Sequence, residues 1–142
     1  MQIRNLDDCF RLRLIRRIKP NKEKSEMSLN IAEKRLKQGH LALEHDFFQY
    51  VVLEAYMAMF HASRALLYRD GIQEKSHFAI YVYLKEKYGD EIPLNVLNLL
   101  NIHRIERHEA MYSLEYKPGR DDAMTALEDA EIYIKEIKNV LK

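Results

Sequence analysis

Six of the seven residues from His103 to Glu109 are ionisable: His103, Arg104, Glu106, Arg107, His108 and Glu109, with Ile105 between them. Seven helical residues make nearly two turns, so these side chains point around the whole circumference. A helix in a packed bundle cannot hide that much charge. The stretch is therefore either solvated, with local pairs across its turns, or the lining of a polar cleft. Arg104 and His108 lie four apart on one face, where a guanidinium can clamp a phosphate while an imidazole shuttles a proton. That is the equipment of metal-free RNA cleavage, with histidine moving the proton and arginine stabilising the charged transition state. Arg104 and His108 are thus candidate catalytic residues, although the spacing recurs by chance in many helices and commits nothing alone.

Other constellations carry less. Glu74-Lys75-Ser76-His77 has the Glu-x-x-His spacing of di-iron bundles, which need two copies and further glutamates, and there is no second copy. Ser76 reads as a helix cap, and Lys75 and His77 as surface or cleft residues. His40 and His45 straddle a turn without ligand spacing. Cys9 is the single cysteine, so a disulfide framework and a cysteine-ligated zinc site are excluded and a reducing cytoplasm suits the chain. The four glycines, Gly39, Gly71, Gly89 and Gly119, are too dispersed for a phosphate cradle, which removes Walker-type and Rossmann-type nucleotide sites. No metal and no cofactor is expected, and neither a membrane span nor a secretory signal fits.

The elements that must position these groups are helices. The chain has 142 residues, 47% apolar and 32% charged, which fits one compact domain with a substantial core. Its Gly and Pro residues fall at the edges of apolar-periodic segments. Leu6, Phe10, Leu14 and Ile18 recur every fourth residue, predicting a short amphipathic helix that stops before Pro20. Ser25 caps a second helix that carries Met27, Ile31 and Leu36 inward and ends at Gly39. The third, about 46–70, has a small-residue face of Val51, Ala55, Ala58, Ala62 and Ala65 that permits close helix approach. Its other face, Tyr50, Glu54, Met57, His61, Arg64 and Tyr68, is too polar for plain core, and Gly71 closes it. Ser76 caps a fourth helix, with Phe78, Ile80, Tyr81 and Leu84, that ends at Gly89. Pro93 opens a fifth running to about Tyr116. Asp121 or Asp122 caps the last, which carries Ala123, Leu127, Ala130, Ile134, Ile137 and Leu141. No strand of useful length is seen. The expectation is an all-α, antiparallel up-and-down bundle of about four main helices with accessory N-terminal and short helices. Charge divides it: residues 1–24 form a basic helical arm of net +5, and 25–142 a bundle of net −4. Such an arm either meets RNA phosphates or is simply solvated.

Three segments in order resemble the small prokaryotic and archaeal HEPN proteins: Glu54-Ala55-Tyr56-Met57-Ala58-Met59-Phe60-His61-Ala62, then Lys75-Ser76-His77, then Arg107-His108-Glu109-Ala110-Met111-Tyr112. The likeness spans roughly residues 26–141. It implies a helical bundle that forms a homodimer and partners a minimal nucleotidyltransferase as a toxin and antitoxin pair. Many members are metal-independent RNases with Arg, four to six residues, then His near the last long helices. Here Arg104 leaves only three residues before His108. Arg35 to His40 meets the spacing, but on another helix and across Gly39. The resulting reading is a non-catalytic module that binds a nucleotide or an RNA phosphate through Arg104, Arg107, His108, Tyr112, His61, Arg64 and Lys75, neither a DNA sequence reader nor a membrane protein. The alternatives are an atypical RNase using Arg104 and His108, and a purely structural interaction bundle.

Overall fold

The computed structural model describes residues 2–142, and among them the chain forms six helices and one two-stranded sheet. In chain order these are α1 (Leu6–Arg11), β1 (Ile15–Arg17), α2 (Lys22–Glu44), α3 (Phe48–Asp70), β2 (Ile72–Glu74), α4 (His77–Tyr88), α5 (Leu94–Tyr112) and α6 (Arg120–Leu141). The bundle is all-α, with α2, α3, α5 and α6 as its four long members and α1 and α4 as the accessory ones.

α3 is the central rod, with twelve of its 23 residues buried. α2 runs antiparallel along it, with Ser25 Oγ donating to Ala65 O at 2.6 Å and Ser28 Oγ to His61 O at 2.6 Å. The inward face of α2 is thus Ser25, Ser28, Ala32 and Gly39. The expected inward residues Met27 and Ile31 instead lie exposed, and Leu36 is only partly buried. The cap is Asn21, whose Oδ1 accepts from Lys24 N–H at 2.9 Å, and the helix runs through Gly39 to Glu44. Gly39 is a packing glycine: a Cβ there would sit 2.8 Å from Leu127 Cδ2 of α6. Small residues on both helices let the backbones approach, and that contact outweighs the helix-ending tendency of glycine.

α6 covers the other flank of α3 with Ala123, Leu127, Ala130, Ile134 and Ile137 buried, as the periodicity predicts. Tyr133 is fully buried among them and shares a 2.6 Å hydrogen bond with Ser63 Oγ. The chain enters α6 at Gly119, whose N–H donates to Asp122 Oδ2 at 2.9 Å, so Asp122 caps from inside the first turn. α5 ends at Tyr112, four residues before the expected stop at Tyr116.

The N-terminal segment departs most from expectation. α1 ends after Arg11, Arg13 takes a left-handed backbone (φ 58°), and residues 15–17 form a strand instead of continuing the helix. Ile15 pairs with Glu74, Arg16 with Gln73 and Arg17 with Ile72, antiparallel, and Ile15 and Ile72 are both buried. A spacing of four is a multiple of the strand period as well as close to a helical turn, so Leu14 and Ile18 do not decide between them. The pairing is completed by Ile18 N–H donating to Gly71 O at 2.9 Å. Gly71 ends α3 in the left-handed conformation (φ 77°), and a Cβ there would lie 2.6 Å from Ile18 O. No other residue fits that turn without displacing the first strand.

Replacing Gly39 by valine should lower the stability measured by urea unfolding by about 2 kcal/mol through overpacking against Leu127, although valine is the better intrinsic helix former. Unchanged stability would show that α2 and α6 do not depend on that close approach.

Candidate functional site

β2 and the Ser76 cap fold the chain back after α3, so His77, the first residue of α4, returns against the α3 surface. Ser76 Oγ accepts from Ala79 N–H at 3.3 Å, which fixes the helix start. The His77 ring stacks on Phe60 at 4.4 Å between centroids and on Tyr56 at 5.8 Å. Tyr56 and Phe60 are four apart on α3 and share the stripe that Arg64 continues. The Tyr56 hydroxyl lies 2.7 Å from His77 Nδ1. Burial holds that hydroxyl protonated, and the hydrogen bond it shares with Nδ1 fixes the orientation of the imidazole ring.

Three guanidinium groups surround this aromatic nest. Arg64 lies 5.4 Å from the Phe60 ring and 5.2 Å from that of Tyr68, whose hydroxyl it also contacts. Arg104 lies 5.6 Å from the Phe78 ring, and Arg107 5.6 Å from the Tyr56 ring. Burial, followed by the charges of Arg107, Arg104 and Arg64, pushes the His77 pKa below the ordinary histidine value, so the ring is neutral at pH 7. Arg64 Nε is 3.0 Å from Glu74 Oε1 but out of line for a hydrogen bond. Among the described residues neither Arg104 nor Arg107 has a carboxylate within 4.0 Å, and Arg104 makes only a 3.4 Å contact to Asn101 Oδ1. One carboxylate therefore faces three guanidiniums. The cluster is cationic and half-buried, with aromatic rings and a neutral imidazole among the guanidiniums.

The other predicted ligand residues sit around this nest. His61 is half-buried one strip over on α3, toward Arg35 of α2, and burial together with Arg64 and Arg35 pushes its pKa down to about 4. Lys75 is exposed; its backbone N–H donates to Leu14 O at 2.7 Å. His108 is exposed, its ring 4.8 Å from that of Tyr112, which is 66% exposed. Arg104 leans toward Phe78, while the His108 ring lies tilted against that of Tyr112. Tyr56, Phe60 and Phe78 are nest members that sequence reading missed, and His77 was read only as a surface or cleft residue. The Tyr56, Phe60, Arg64 spacing was the available signal. Arg35 and His40 share one continuous helix, yet they diverge: Arg35 pairs with Glu54 of α3 at 3.1 Å and His40 with Glu131 of α6 at 2.6 Å.

The charged run of α5 is split between two neighbours. His103, nearly fully buried, points toward α6, with Nδ1 2.9 Å from Glu106 Oε1 and Nε2 2.8 Å from Asp129 Oδ2. Tyr116 closes the network by donating to Glu106 Oε2 at 2.8 Å. Burial opposes the charged imidazole, but the hydrogen bonds from both carboxylates and their charges prevail and raise the His103 pKa. His103 is therefore held as a cation between two anions, while Arg104 and Arg107 face the other side unneutralised.

Fold and nest together define a helical-bundle protein with an aromatic cluster ringed by arginines. A sequence model of the HEPN domain matches residues 25–140, and the chain belongs to that family. It is 29% identical over 131 residues to a protein named "Putative toxin" from Methanocaldococcus jannaschii, covering 85% of this chain and 91% of that one. It is 29% identical over 118 residues to a UPF0332 protein of Archaeoglobus fulgidus, covering 82% and 94%. A UPF0332 protein of Pyrococcus horikoshii is 28% identical over 120 residues, covering 84% and 75%. Among the described residues no helix is long and apolar enough to cross a membrane.

Because the His103 pKa is raised in the native state, its contribution to stability is complete below the unfolded value of about 6.5 and is lost as pH rises through the native value. Urea unfolding between pH 5.5 and pH 9 should show that loss. His103→Gln should flatten the profile and cost about 3 kcal/mol at pH 6, because Glu106 and Asp129 would lose the charge between them. An identical pH profile in the variant would refute the cationic assignment.

Proposed function

We propose that this protein grips an RNA or nucleotide phosphate at the aromatic cluster ringed by Arg64, Arg104 and Arg107, without cleaving it, as the toxin-like member of a toxin and antitoxin pair. The observation that carries this reading is that Arg104 and Arg107 lie on aromatic rings with no carboxylate partner among the described residues. Two half-buried, unneutralised guanidiniums beside a neutral imidazole are strong donors to an anion. Phosphate oxygens supply the missing acceptors, and exposed Tyr112, with His108 beside it, offers a stacking surface for a base. His61 and Lys75 border the approach. The partner that fits the family is a minimal nucleotidyltransferase, and the single buried cysteine suits work in the cytoplasm.

A homodimer accompanies this reading. The outward face of α5 exposes the large apolar side chains Leu94 at 50%, Ile102 at 55% and Ile105 at 54%. Helical spacing aligns them, and a two-fold contact would cover them with a copy of themselves. Light scattering at micromolar concentration should give twice the chain mass, and Ile105→Glu should give a monomer. A monomeric wild-type chain would remove the dimer from the reading.

Fluorescence anisotropy with a labelled single-stranded RNA, and competition by AMP, both in EDTA, test the phosphate site. Arg107→Ala and Arg104→Ala should each weaken binding at least tenfold, in keeping with about 1.5–3 kcal/mol for a charged hydrogen bond. Arg16→Ala in the basic arm should change it little. Loss through the arm variant alone would move binding to the arm and end the reading. RNA cleavage in EDTA that disappears in His77→Ala would replace binding by catalysis.

A further inference from the structure

A groove runs along the far flank of the bundle, between α2 and α6, and shares no residue with the arginine cluster. Its volume is about 710 Å³ and its wall is mostly apolar. An ion pair and a hydrogen bond cross it: Lys138 of α6 meets Glu33 of α2, and His40 of α2 meets Glu131 of α6 at 2.6 Å. Their order shows that the helices run antiparallel. The crossings are seven residues apart on each helix, which is about 10 Å or two turns. Between them Leu36 and Ile134 form an aliphatic floor, and Lys34, Lys37 and Lys135 stand along the edges. Among the described residues those three lysines have no carboxylate within 4.0 Å, whereas both groove glutamates are already engaged.

We propose that this groove is a docking slot for an acidic amphipathic helix of a partner protein. Charge complementarity selects the occupant: three unpaired ammonium groups border the slot, and its two anions are taken up by Lys138 and His40. Its length admits two turns of a helix, hence anchors at i and i+4 on the Leu36 and Ile134 floor with carboxylates flanking them. No Phe, Tyr or Trp lines the groove, so a nucleic acid would find phosphate contacts there but no surface for its bases. The crossing pairs are about half exposed at 49% and 49% for His40 and Glu131, and 44% and 46% for Lys138 and Glu33. Pairs so solvated are worth little. They open for an incoming carboxylate at small cost and meanwhile keep water-exposed apolar floor covered.

The test uses the full chain and a fluorescein-labelled helical peptide of about 14 residues, the length of an average helix, with leucines at i and i+4 flanked by glutamates. Binding should be micromolar, and amide shifts in a ¹⁵N spectrum should concentrate in residues 30–40 and 131–138. The double variant Lys37→Glu, Lys135→Glu should weaken binding at least tenfold, as should replacing the peptide leucines by glutamine, whereas Arg107→Ala should leave it unchanged. These lysines are exposed, and a circular dichroism spectrum matching the wild type would confirm that the variant folds. No peptide binding at millimolar concentration, equal binding of the leucine-free peptide, or an RNA oligomer that shifts the groove residues and displaces the peptide would each overturn the proposal.

Discussion

The close approach of α2 to α3 is the constraint on which the rest depends. Ser25, Ser28, Ala32 and Gly39 have almost no side chain to interpose, so α3 sinks between its neighbours and its backbone carbonyls at His61 and Ala65 become acceptors for the two serines. A helix buried that way must still place its polar side chains. α3 sends Glu54 and His61 toward Arg35 of α2, and along the strip facing α4 and α5 it carries Tyr56, Phe60 and Arg64. Had α2 carried leucines on this face, α3 would stand further out, and the aromatic nest would lose the burial that keeps His77 neutral.

The same logic governs α5. A run of six ionisable groups of mixed sign would be merely solvated on an isolated helix. Packed between α6 on one side and α3 with α4 on the other, it is sorted by direction: His103 and Glu106 turn to Asp129 and Tyr116, and Arg104 and Arg107 turn to the rings of Phe78 and Tyr56. The first side is electrically closed. The second is open, held by contacts between cations and ring faces that stabilise a guanidinium modestly and leave its N–H fork free. Paired and unpaired charge thus lie on opposite sides of the same turns of one helix.

Much of this was legible in the sequence, and the failures have physical causes. The long amphipathic patterns of α3 and α6, the Ser76 cap and the Gly71 and Gly89 stops read correctly because each depends on interactions within a few residues. α2 misled because its packing face is made of serines, an alanine and a glycine, while its larger apolar residues face outward; hydrophobicity marks a core face only when the contact is made by side chains. β1 was unreadable locally, since Ile15 becomes part of a strand only by pairing with Glu74, 59 residues on. For the cluster, Arg64, Arg104 and Arg107 were recognisable as ligand types, whereas their half-buried and unpaired state was not. That state comes from which rings and carboxylates other elements bring.

The histidines make the distinction sharpest. His108 was singled out for its four-residue distance from Arg104, yet a histidine exposed on a helix rim is surrounded by water that competes for every proton and phosphate contact it could make. His77, with no arginine near it in sequence, receives the electrostatic influence of three through the fold. Its Nδ1 shares a hydrogen bond with the Tyr56 hydroxyl, so the ring is fixed in orientation and has Nε2 left for any other partner. Protonating this imidazole would add a fourth positive charge to a cluster whose near carboxylate is Glu74, and burial together with the three guanidiniums disfavours that step. An environment that resists a further positive charge works against general-base catalysis at this ring, because a base must take up the proton that the surrounding arginines repel.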